Sequence, residues 1–252
     1  MLFDLHTHSK YSIDALSKPE TMINICKKKG IGISITDHNN MDVYFKGKVK
    51  QIAKEKKVFL IPGEEIKVLA NQPVNKKKSS VKNSKDILSN AKNSLVSDKC
   101  VGEVIAYFLN KEIKPNTFEN ILDEIKQQGA LLSCPHPFDW PRKNFKEFSN
   151  EWRKFDSMEV YNARAYYSGL NKKSQKFHDV IFKEKRISAL GVSDAHTPEE
   201  IGNGLTEINA VNEEEFRKAI KKGQTKIIKN NKAGFSQHLQ TQFARKNIIS
   251  ER

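Results

Sequence analysis

Leu2-Phe3-Asp4-Leu5-His6-Thr7-His8 opens the chain. Strand side chains alternate from face to face, so an apolar run ending in His-x-His sets two imidazoles on one side of a strand. Neutral imidazole ligates Zn, Mn and Fe, which makes this a metal clamp in outline. Standing alone, such a pair is more often unligated.

The same design recurs five times. Ile31–Thr36 leads into Asp37-His38, Val58–Pro62 into Gly63-Glu64-Glu65, and Ala130–Cys134 into Pro135-His136-Pro137. Met158–Tyr161, with Glu159 inside it, leads into Asn162 and Arg164, and Ile187–Val192 into Ser193-Asp194-Ala195-His196. Short apolar runs alternating with helical stretches indicate βα units around a parallel sheet. If the sheet closes, residues just past the strands converge on one face. The expected fold is therefore α/β, a distorted TIM-like barrel of about seven βα units.

Helix signals fit that layout. Ser17-x-x-Glu20 reads as a capping box with Pro19 in the first turn, and Gly30 stops the helix after Lys27-Lys28-Lys29. Asn116-x-x-Glu119 opens a helix closing at Gly129, and Asn212-x-x-Glu215 opens one ending near Gly223. Met41–Lys56 and Gly169–Lys185 carry helical spacing of apolar residues.

The length of 252 residues suits one barrel, expected over 1–230, followed by a basic tail over 231–252. Net charge is +14 and unevenly placed. Asn71–Lys99, rich in Lys, Ser and Asn, reads as a flexible basic insertion. A Gln-rich piece of the tail, Ser236–Phe243, has no evident partner in the barrel. The excess charge is explained by a solvated Lys-rich surface, or by attraction of a phosphate-bearing partner. Cys26, Cys100 and Cys134 show no C-x-x-C spacing, and no apolar run is long enough to span a membrane. A reducing cytoplasm is the expected location, with no leader segment and no membrane partner.

Taken together, Asp4-Leu5-His6-Thr7-His8, Thr36-Asp37-His38, Gly63-Glu64-Glu65, Pro135-His136-Pro137 and Ser193-Asp194-Ala195-His196 resemble the PHP (polymerase and histidinol phosphatase) superfamily of metal-dependent phosphoesterases. The resemblance implies two or three divalent ions at the C-terminal face of the barrel, with Mn, Zn, Fe or Mg as the choices. It assigns His6, His8, Glu65 and Asp194 to one ion, His136 and the bridging Glu65 to a second, and His38 and His196 to a third. Asp14 stands where many relatives carry a histidine ligand, and Glu103 stands where the fourth strand usually supplies a histidine. Extra carboxylates favour the harder ions.

The implied chemistry is hydrolysis of phosphate esters, with a metal-held hydroxide attacking phosphorus in line. Asp194 or Glu65 would fix the nucleophile, and His38 or His196 would return a proton to the leaving oxygen. Arg164 and Arg142 are the expected phosphate clamps. Blander roles go to Asp4 and Asp37 as braces, Glu64 as a surface neighbour, and Glu159 as a buried hydrogen-bonded carboxylate. His178 and His238 read as surface histidines, and Trp140 and Trp152 as packing residues. The favoured partner is a small phosphorylated substrate such as a nucleotide or sugar phosphate. The alternatives are a nuclease acting on DNA or RNA, and a non-catalytic binding barrel; the near-complete ligand set argues against the latter. Oligomeric state is left open.

Overall fold

The opening run forms β1 (Leu2–Thr7), buried from Phe3 onward. β2 (Ile31–Ile35) and β3 (Leu60–Asn71) follow beside it in parallel. β4 (Val96–Tyr107) turns back, antiparallel both to β3 and to β5 (Leu131–Cys134). β6 (Ser157–Asn162) and β7 (Ser188–Val192) continue parallel to β5. β8 (Gly204–Ile208) and β9 (Thr225–Lys229) add an antiparallel pair on the far side of β1. The computed structural model describes residues 1–71, 96–165, 167–231 and 241.

The sheet runs β7-β6-β5-β4-β3-β2-β1-β8-β9 and curls into a nearly closed barrel. Its seam is fastened where Thr7 bridges Ala195 and the His8 N–H donates to the Ala195 carbonyl at 2.7 Å. There β7 lies against β8 so closely that a Cβ at Gly191 would sit 2.7 Å from the Leu205 carbonyl oxygen, so glycine is required. The barrel matches the expected class, with departures at β4 and at the β8–β9 pair, which are antiparallel rather than parallel βα strands.

Helices α1 (Pro19–Lys29), α2 (Asp42–Phe45), α3 (Val49–Lys56), α4 (Phe118–Gln127), α5 (Phe148–Glu151), α6 (Ser168–Ile181) and α7 (Glu213–Lys221) link the strands. Gly30 ends α1 in the left-handed region as its sequence demands, and Asn212 caps α7 by accepting the Glu215 N–H at 2.9 Å. Two expected caps fail. Lys18, not Ser17, stands at the N-cap of α1, and Thr117, not Asn116, at that of α4. The Met41–Lys56 stretch is two helices rather than one.

The ends of the expected insertion are strand. Asn71 closes β3, and Val96–Lys99 open β4 opposite it; residues 72–95 lie outside the described residues. Most of the tail, including His238 and all of the Gln-rich run except Thr241, also lies outside them. Thr241, however, is buried against Arg164, so at least this tail residue has a barrel partner. The larger apolar cluster joins Met22, Ile23 and Cys26 of α1 to Ile33, Val104 and Met158 of the sheet. A smaller one packs Phe3, Leu5 and Leu190 against Phe216. Among the described residues no helix is long and apolar enough to cross a membrane.

Candidate active site

Strand ends deliver the chemistry. His6 and His8 leave β1 on the same side, with their Nε2 atoms 3.0 Å apart. Glu65, at the inward position of β3, reaches both: its Oε2 lies 3.3 Å from His6 Nε2 and 3.5 Å from His8 Nε2. Asp194, just past β7, completes this group, with Oδ1 at 3.6 Å from His6 Nε2 and 3.5 Å from His8 Nε2. His136, past β5, points Nε2 at the other oxygen of Glu65, 3.2 Å away. Glu65 is therefore central to the cluster and faces two sets of partners.

A third group lies toward the mouth. Asp14 sits between His38 and His196, 3.6 Å from the Nε2 of each. His38 Nδ1 lies 3.0 Å from Glu65 Oε2 and 4.0 Å from Glu103 Oε1. The donor atoms of His6, His8 and Asp194, of His8, His38 and His196, and of His38, Glu65 and Glu103 each fall within 4.8 Å of one another. All nine residues given a metal role from sequence thus meet in one place.

The electrostatics fit cations. Burial opposes ionisation of Glu65, yet His6 and His38 hold its carboxyl well below the usual carboxylate range. Burial likewise opposes ionisation of Asp194, and His6 and Arg142 hold it low. Burial, reinforced by the neighbouring His196 and His38, pulls His8 down to about 3, leaving a neutral imidazole with a free lone pair for a ligand. Burial raises the Glu103 carboxyl, and the nearby Glu65 raises it further. Several carboxylates and imidazole nitrogens thus converge in a largely buried site, the donor set that borderline divalent ions need. Among the described residues, buried Asp14 Oδ1 and His136 Nδ1 have no hydrogen-bond partner, which suits a cluster arranged around ions.

Behind the donors stands a second layer of polar residues. Glu159 Oε1 accepts from His6 Nδ1 at 2.6 Å, while Oε2 accepts the His136 N–H and the Asn162 side-chain amide, each at 2.8 Å. Asn162 also donates to Asp194 Oδ2 at 3.0 Å. Asp37 accepts from the Ser9 backbone and hydroxyl, and Asp4 accepts the Ser193 and Gly202 N–H groups; both are braces. His136 and Asp194 hold φ of 29° and 57°, left-handed values unusual for such residues and concentrated at functional sites.

The structure redraws several sequence readings. Arg164 does not line the cavity: it is buried, paired with Glu200 at 3.3 Å and covered by Thr241. Arg142 does line it, held between Asp139 and Asp194. Glu64 is fully buried on the opposite face of β3 from Glu65, accepting the Ile113 N–H, and burial pushes its carboxyl up to about 8. His178 is buried too, with Nε2 2.9 Å from the Ile187 carbonyl oxygen. Trp152 is core, as expected, but Trp140 is exposed.

Sequence reasoning missed Ser12, whose hydroxyl accepts the His38 N–H and lies 3.3 Å from His8 Nδ1. It also missed Glu200, which accepts the N–H groups of His196 and Thr197. The pattern Thr197-Pro198-Glu199-Glu200, a capping box with Pro in the first turn, was the available signal. Lys67 and Lys143 join Asp14, His38, Glu65, Glu103, Arg142 and others around a cavity of about 410 Å³.

A barrel whose strand ends gather this donor set defines a class, and the PHP domain model matches residues 4–233: the chain belongs to the PHP family. It is accordingly a metal-dependent phosphoesterase, an enzyme that hydrolyses phosphate esters. Uncharacterized protein MJ0417 of Methanocaldococcus jannaschii is 31% identical over 219 residues, 84% of this chain and 72% of that protein. In fold, the chain resembles a two-domain Bacteroides vulgatus protein described as containing a predicted PHP-like metal-dependent phosphoesterase (TM-score 0.63, 18% identity, 91% of this chain and 65% of that one). It also resembles a lesion-specific endonuclease of Pyrococcus furiosus (TM-score 0.55, 19% identity, 90% of this chain and 58% of that one).

Proposed function

We propose that the chain hydrolyses a small phosphomonoester, a nucleotide or sugar phosphate, with two or three divalent ions. The supporting observation is the cavity of about 410 Å³ with the donor cluster in its lining and Lys67, Arg142 and Lys143 beside it. Pockets of about 300–1,000 Å³ suit small ligands. A terminal phosphate dianion offers more charge to such a lining than a diester does.

His6, His8, Glu65 and Asp194 would hold one ion, His136, Glu65 and Glu103 a second, and Asp14, His38 and His196 a third. Bound there, such ions lower the pKa of a coordinated water and offset charge on the phosphoryl oxygens. Asp194 and Glu65, kept ionised, accept hydrogen bonds from the attacking water and fix its direction. Arg142 takes the phosphate-gripping role that the sequence had also offered to Arg164. If two ions are bound, His38 or His196 returns the proton to the leaving oxygen from Nε2, the atom each turns toward Asp14. Three ions make them ligands.

Metal analysis of freshly purified chain decides the ion count; substoichiometric metal that added Mn or Zn does not restore overturns the cluster. With Mn present, an aryl phosphate, its diester with the same leaving group, and labelled oligonucleotides are compared. Faster monoester cleavage is the expected result. A preference for the diester, or stepwise release of nucleotides from an oligonucleotide end, installs a nuclease, the reading favoured by the net charge of +14.

A further inference from the structure

We infer that Trp140 and Tyr167 form a nucleobase platform at the mouth of the active site, so that the ester cleaved carries a planar heteroaromatic base. This rests on the phosphomonoesterase reading and narrows its substrate to nucleotides. Trp140 is 69% exposed and Tyr167 47%, an uncommon state for two large aromatic side chains. They are not scattered: the rings stack on each other, centroids 5.8 Å apart and planes 22° apart. That stacking backs the indole on one side with a second ring and leaves much of it open to solvent.

Position ties the pair to the chemistry. Trp140 immediately precedes Pro141, Arg142 and Lys143, all three of which line the cavity. Tyr167 follows Ala165, which with Asn162 and Arg142 lines a small adjoining crevice. The two segments that bring the aromatics together are thus those that carry Arg142, beside Asp194, and Asn162, which donates to Asp194. A phosphate held at the donor cluster and Arg142 leaves its organic portion to extend along the cavity, whose lining also includes Lys67 and Lys143. A nucleobase lays a flat π-face on an indole ring, a fuller contact than the puckered C–H face of a sugar makes. Every nucleobase has a π-face, and stacking on an exposed aromatic is tolerant of base identity.

The experiment compares nucleoside monophosphates with base-free sugar phosphates on the Mn-loaded full-length chain and on Trp140→Ala, Trp140→Phe and Tyr167→Ala. The readout is the ratio of kcat/KM for nucleotide over sugar phosphate. Trp140→Ala should lower that ratio roughly tenfold, mainly through KM, and Trp140→Phe should retain most of it. Equal loss on both substrates, or no loss on either, overturns the platform. Binding is read separately by tryptophan fluorescence, since the chain has two tryptophans and Trp152 is buried. Adenosine monophosphate should quench the emission, and Trp140→Phe should abolish the quenching. Quenching in a chain that cleaves no monoester keeps the platform and overturns the small-ester reading. Oligonucleotides cleaved faster than mononucleotides, with the same dependence on Trp140, do likewise. Cleavage of monoesters without quenching does the reverse.

Discussion

The two ends of the donor cluster are built differently. At the floor, His6 and His8 are fully buried on β1, and Glu159 and Asn162 hold His6, His136 and Asp194 from behind. At the mouth, Asp14 and His38 are 18% and 21% exposed, and His38, Asp14 and His196 face mainly one another. A floor braced by residues that are not donors is preorganised for its ion. At the mouth, Ser12 and Glu200 hold only the backbone N–H groups of His38 and His196, so the side-chain donors there are the less preorganised set.

Asp194→Asn attacks the floor directly and should have the largest effect. It removes a charge facing both His6 and Arg142, and kcat should fall at least ~10³-fold, about 4 kcal/mol of barrier. Steady-state kinetics with metal analysis check it; near-normal turnover would mean that the floor is not the reaction centre. Glu159→Gln attacks the brace. It should weaken metal binding by ~10–100-fold, read by competition with a chromophoric chelator, while circular dichroism stays native. An equal effect from a mouth substitution such as Asp14→Asn would erase the contrast between the two ends.

Glu103→Gln should produce a smaller loss confined to one ion, and Glu103→His should move metal preference toward zinc, because imidazole is the softer donor. Unchanged metal content in both variants would place Glu103 outside the ligand set. Glu64, adjacent to Glu65 but on the other face of β3, should affect stability rather than chemistry. Its folded pKa of about 8 lies above the ~4.3 of an unfolded chain. Folding therefore favours its protonated form, and its contribution declines as pH rises from about 4.3 to about 8. Glu64→Gln should flatten that decline and raise the melting temperature above pH 8; a lowered one would show that the charge is needed. The smallest effect is expected from joining Asn71 to Val96, which face each other across the antiparallel pair, by a short turn in place of 72–95. Turnover of a small ester should change by less than about twofold, because shortening a hairpin loop costs little. Loss of folding would assign the segment to the barrel.

The converging donors were legible because each is written just after an apolar strand, and closure of a barrel brings such positions together whatever lies between them. The direction of β4 was not legible: alternation of apolar residues encodes which face is buried, not which way the strand runs. Glu64 and Glu65 show a related gap. Period two predicts that they point apart, but not that the outward one is buried and accepts the N–H of Ile113, 49 residues on. Arg164 was misplaced because strand-end position gives proximity to the site, while a turn after Asn162 aims the side chain at Glu200 instead. Glu159 was legible as a buried carboxylate and Asp4 as a brace, though their partners, at distant sequence positions, were not.

Closure of the barrel through its first strand bears on the order of events during synthesis. The amino group of Met1 donates to the Ile208 carbonyl, 207 residues away, and Asp4 accepts from Ser193 and Gly202. At ribosomal speeds of about 5–20 residues per second, β1 emerges roughly 10–40 seconds before the partners that lock it in place. Throughout that interval His6 and His8 are on a nascent chain without Asp194. Contacts this remote in sequence also predict slow refolding in vitro. If the floor holds an ion as proposed, its acquisition is expected to be a late event, and the half-made chain to bind ions weakly.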